Sequence, residues 1–113
     1  MIPEIKTPEI KTLLQNAARA AGLKVWSHPA SLIAEGHKFY VMTKSGQVEW
    51  NPATNSGDSR DLQVKLKISL EPFSVGWVAW CKDKMPDGRY DADPNMAVLL
   101  VASAIGAAMK EGE

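Results

Sequence analysis

The chain has 113 residues, 45% of them apolar and 23% charged, with 13 basic residues balancing 13 acidic ones. That is the size of one domain able to build a core without disulfides or metal. Zero net charge also lacks the basic excess that a duplex-binding surface carries. The charge is +2 over the first fifty residues and −2 over the rest, too mild a split to suggest a nucleic-acid or membrane surface. Cys81 is the only cysteine, which excludes an internal disulfide and favours a cytosolic setting.

Residues 3–7 and 8–12 both read PEIKT, an echo too short for a solenoid repeat. Residues 1–6 read as a flexible lead-in to a single domain spanning 1–113. The N-terminus has early acidic residues and no apolar run of the kind a signal peptide needs. Thr7 and Pro8 form an N-cap and N1-proline pair, with Glu9 in the first turn. Ile10, Leu13, Leu14, Ala17, Ala18 and Ala21 then follow the spacing of a one-faced helix, closed by Gly22.

From Leu23 to Lys38 that pattern is lost, and Pro29 and Gly36 mark turns. Lys24-Val25-Trp26 reads either as a short strand or as chain laid on the core. Lys38 to Met42 reads as a strand, turning at Lys44-Ser45-Gly46-Gln47 into Val48-Glu49-Trp50. Asn51-Pro52 breaks this run, and a polar loop with Gly57 leads to a short amphipathic helix opened by Asp58 and Asp61. Ile68 to Glu71 alternates as a strand stopped by Pro72. Val75 to Cys81 returns as its hairpin partner, and Asp83 to Gly88 reads as a loop. Asp93-Pro94 repeats the N-cap and N1-proline signal and starts a last helix to about Met109.

That helix is apolar nearly all round, so it is buried or covered by a partner. Its longest apolar stretch, Met96 to Met109, is 14 residues, short of the roughly 18 that a membrane span needs; a soluble chain is expected. Small residues at Ala104, Gly106, Ala107 and Ala108 would admit close approach of another element, including a second copy, and a homodimer through Ala104 and Ala108 would hide the helix. In Phe39–Met42 and in Trp77–Trp80 both parities are apolar, where a sheet with one wet face should alternate. Covered strand faces are therefore expected. The fold predicted is α+β, with three helices around a mostly antiparallel sheet of about four strands.

Four candidate chemistries follow. Free N–H groups where the 51–60 turn meets the second helix would suit an anion, with Asn51, Thr54, Gly57 and Arg60 as the ligand-binding set and a nearby tryptophan to stack on. Asp58 and Asp61 compete for the same helix end, and no P-loop spacing exists, so helix capping is the plainer account. Asp91-x-Asp93-x-Asn95 resembles the start of an EF-hand loop but has Met96 where glycine is required; Asp93 is better read as a cap. His28 and His37 lack the companions of a zinc site, so no metal or cofactor is expected, and Cys81 reads as a structural strand residue. Four tryptophans remain. Trp50 and Trp80 are assigned to the core, and Trp26 and Trp77 are the candidates for partner binding.

Trp50-Asn51-Pro52, Thr54, Gly57-Asp58 and the helix carrying Leu62, Val64, Lys65 and Leu66, followed by Asp93-Pro94 and AVLLVASAIGAAM, resemble the phage "ABA sandwich" domain group of small bacteriophage and prophage proteins. The resemblance covers about residues 38–109 and rests mainly on structural positions. The chain departs from it at Lys67, where a glycine is expected after the second helix. The resemblance implies a layered α-β-α sandwich and a phage or prophage gene, and it brings no catalytic residues. The expected function is thus a non-enzymatic accessory protein that binds a host protein, such as a bacterial defence component, in the host cytoplasm. The alternative is a small-ligand or nucleotide binder using the 51–60 turn. A hydrolase built on Asp58, Asp61, Asp91 or Asp93 ranks last, because acid–base work needs carboxylates converging on one pocket.

Overall fold

The computed structural model describes residues 10–27 and 39–109, without the side chains of Lys11, Trp26 and Ser27. The lead-in, the Thr7-Pro8 cap, Pro29, Gly36 and both histidines lie outside the described residues. Helix α1 spans Ile10–Ala21 and buries Leu13, Leu14, Ala17 and Ala18. It ends as its glycine dictates. Gly22 takes φ +72°, its N–H donates to Arg19 O, and the Leu23 N–H reaches back to Ala18 O, the paired bonds of a Schellman stop.

Strands β1 (Trp26–Ser27), β2 (Phe39–Thr43) and β3 (Gly46–Trp50) form one antiparallel sheet in that order. Phe39 pairs with Trp50 and Val41 with Val48. Phe39 and Trp50 are both buried, and they tie this sheet to the core. Helix α2 (Ser56–Leu66) follows. Strands β4 (Ile68–Phe73), β5 (Gly76–Cys81) and β6 (Met85–Asp91) then form a second antiparallel sheet, and α3 (Pro94–Ala108) follows it.

The α+β class and, among the described residues, three helices are as expected. The single four-stranded sheet is not: the described residues build two three-stranded sheets. Two misread prolines explain part of the difference. Pro72 does not stop β4 but lies within it, and Pro86 lies within β6, where a loop was expected. Both strands are sheet edges, where a missing N–H breaks no ladder. Gly88 also sits inside β6, beside a register shift near Ala79 and Cys81. It takes φ +76°, and a Cβ there would stand 2.9 Å from Ala79 O. Glycine marks a bulge here, not a loop.

Helix α3 is the centre of the packing. It lies against all three strands of the second sheet, against α1 and against α2. Ala97, Val98, Leu99, Val101, Ala102 and Ile105 are buried on it. An apolar circumference therefore finds cover on several sides within one chain. Gly106 meets α1 so closely that a Cβ would overlap the Asn16 carbonyl. The close approach anticipated for the small residues of this helix is thus made by α1. The second sheet turns Trp77, Ala79 and Cys81 toward this core. Its other face carries Val78, paired with Tyr90, and Trp80, paired with Ser69. Val78 and Trp80 are half-buried, while Tyr90 is 65% exposed and Phe73 38%, so this face is open at its edge strands.

Candidate functional site

The turn between β3 and α2 is tied together from within. Asn51 Oδ1 accepts the Ala53 N–H at 3.0 Å, and the Asn51 carbonyl accepts the Thr54 and Asn55 N–H groups at 3.2 and 2.8 Å. Asn55 is the N-cap of α2, its Oδ1 accepting the Asp58 N–H at 3.0 Å. The Asp58 carboxylate reaches back to the Asn51 N–H at 2.8 Å. Sequence logic explains both bonds. An Asx residue with extended backbone satisfies an orphan helix donor, and a carboxylate in the first turn suits the positive helix end. Of the four ligand residues expected here, Asn51 is half-buried in this network, while Thr54, Gly57 and Arg60 are exposed. None of the four lines the groove that lies beside the turn.

A concavity does open immediately beside it. A groove of about 580 Å³ runs between the first sheet and α2. Val41 and Val48, a cross-strand pair, form one wall with Trp50. Asp58, Asp61, Leu62 and Lys65 line it from the helix, spaced so that all four share the helix side facing the sheet. Met42 and Val64 are each 67% exposed on its rim and Val48 is 40% exposed, over a Trp50 that is only 4% exposed. Sequence reasoning missed Met42, Val48 and Val64. The available signal was the apolar run Phe39–Met42, which was read as buried on both faces.

The tryptophans divide differently. Trp50 is buried in the core, as expected. Trp77 is half-buried and packs against the core from the inner face of the second sheet. Trp80, assigned to the core, is half-buried on the opposite face, because β5 alternates and Ala79 and Cys81 take the inward positions. Trp26 lies in β1, and its side chain is outside the described residues. Phe73 and Tyr90 meet edge to face on the outer side, centroids 5.4 Å apart at 89°.

The remaining candidates have structural duties. Asp93 is the N-cap of α3, accepting the Asn95 N–H at 2.8 Å, and Asp91 accepts the Asp93 N–H at 2.9 Å. Asn95 Nδ2 donates to Ser56 Oγ at 3.4 Å, joining the starts of α2 and α3. Cys81 is buried, its Sγ–H directed at Leu66 O at 3.4 Å. Among the described residues no group of three or more His, Cys, Asp or Glu could hold a metal, and no helix is long and apolar enough to cross a membrane.

Fold and groove together define an α+β chain with an open apolar cleft beside a capped helix. No family model, no curated protein and no solved structure matches it.

Proposed function

We propose that this chain is a non-enzymatic accessory protein of a phage or prophage, acting in the host cytoplasm by binding a host protein, with a bacterial defence component as the first candidate. The phage assignment and the finer α-β-α layering rest on the resemblance of the 50–66 and 93–109 segments. The binding reading rests on one observation: Met42 and Val64 are exposed on the rim of a single apolar groove. An apolar side chain entering there would remove these groups and its own surface from water, at about 25 cal/mol per Å² buried. Asp61 and Lys65 beside the cleft supply the polar rim typical of such contacts.

A pull-down from host lysate with the intact chain, Met42→Asp, Val64→Asp and Arg60→Ala tests it. A partner held by the intact chain and by Arg60→Ala, and lost with both groove variants, is the expected result. Retention by the groove variants would move binding elsewhere. A second reading has its own observation, since a groove of about 580 Å³ lies within the range of small-ligand sites, roughly 300–1,000 Å³. Native mass spectrometry separates the two: a small mass released on denaturation, and absent from Val64→Asp, favours the ligand.

A further inference from the structure

The C-terminal end of α2 carries a second concavity, of about 420 Å³, whose lining is strongly basic. Lys65 and Lys67 reach it from the end of the helix, and Lys82 and Lys84 from the turn between β5 and β6. Asp83 is the one acid in its lining, so the lining holds four lysines and one carboxylate, a net +3. In a chain whose total charge is zero, this is an arrangement made by the fold and not by composition. Lysine at a helix C-terminus is ordinary, because it complements the dipole. That accounts for Lys65 and Lys67. It does not account for Lys82 and Lys84, which come from a different segment.

Lys67 adds an independent observation. It is the only non-glycine among the described residues with positive φ, at φ 56° and ψ 48°. A glycine would adopt this left-handed conformation without the steric cost a Cβ brings. The left-handed turn is the αL stop of α2, its N–H donating to Gln63 O, and the chain makes it with a lysine that lines the basic cavity. Like charges gathered around one concavity are a feature a bound anion would offset.

We infer that the cavity between the end of α2 and the β5–β6 turn is a binding site for a small molecule carrying a diphosphate or an equivalent multiply charged oxyanion. Lys65, Lys67, Lys82 and Lys84 supply the charge, and Ser69, also in the lining, offers a hydroxyl donor. Its volume suits a small ligand, and a concave site of one sign focuses the field on it. The inference is separate from the groove reading, although Lys65 lines both concavities.

Calorimetric titration of the intact chain with inorganic pyrophosphate tests it, at low and at physiological ionic strength. Saturable one-to-one binding that weakens with salt is expected. Lys82→Gln/Lys84→Gln should weaken it by about tenfold or more, while Arg60→Gln, at the other end of α2, leaves it unchanged. Lys67→Gly separates site from scaffold: binding falls while the thermal midpoint rises, because glycine relieves the left-handed backbone. Titration with ADP distinguishes the source of the phosphates, since tighter binding than pyrophosphate would add the nucleoside to the recognised group. Absence of saturable pyrophosphate binding overturns the inference. So does an equal loss in Arg60→Gln, or a Lys67→Gly chain that binds as well as the original.

Discussion

At Gly106 a single hydrogen stands where any other residue would place a carbon. The added Cβ would overlap the backbone carbonyl of Asn16, and a backbone atom in a packed helix cannot swing aside as the end of a side chain can. Gly106→Ala must therefore push α1 from α3, the contact on which Leu14, Ala17 and Ala18 depend. Overpacking of this kind costs roughly 1–3 kcal/mol, and more where backbone has to move. Urea unfolding should place the variant at or above the top of that range. A loss under about 1 kcal/mol would mean the two helices can slide without penalty. Gly88 presents the same logic on the second sheet, with a positive φ added.

Elements were legible where their ends carry side-chain chemistry. Gly22 stops α1 and Asp93-Pro94 starts α3, and both signals are local. The start of α2 was visible only in part: the cap is Asn55, three residues before Asp58, and the carboxylate reaches past it to Asn51. Strand β6 was hidden because Pro86 and Gly88 normally punctuate loops, and only its place at a sheet edge, with a bulge, makes them tolerable. The groove and the basic cavity were invisible for a different reason. Each is made by segments distant in sequence, Val41 and Val48 against Leu62, or Lys65 and Lys67 against Lys82 and Lys84. The cap gives a direct test at this scale. Asn55→Ala removes the acceptor for the Asp58 N–H and should cost about 1 kcal/mol in thermal or urea unfolding. The groove wall formed by α2 begins at Asp58, so the same variant should raise amide exchange through the first turn of α2 more than in α3. Uniform exchange in both helices would instead make the cap a determinant of global stability alone.

For the whole molecule, the arrangement of α3 bears on self-association. The sequence argument for a homodimer was that an apolar helix with small residues at Ala104 and Ala108 needs a cover. Within the chain, α1, α2 and the second sheet already supply one. What α3 leaves exposed is Ala107 and Ala108, with Met96, Leu100 and Ala104 half-buried. A stable interface buries about 800 Å² on each partner, far more than two alanines provide. The larger apolar surfaces are elsewhere, at Met42 and Val64 on the groove and at Tyr90 and Val75 on the second sheet. Light scattering over a rising concentration series should therefore report the monomer mass throughout. If the mass climbs, the variant that restores the monomer identifies the surface. Ala108→Asp would implicate α3 and return the dimer to it. Val64→Asp would show that the groove accepts a second copy, and any other occupant of the groove would then compete with self-association for Met42 and Val64.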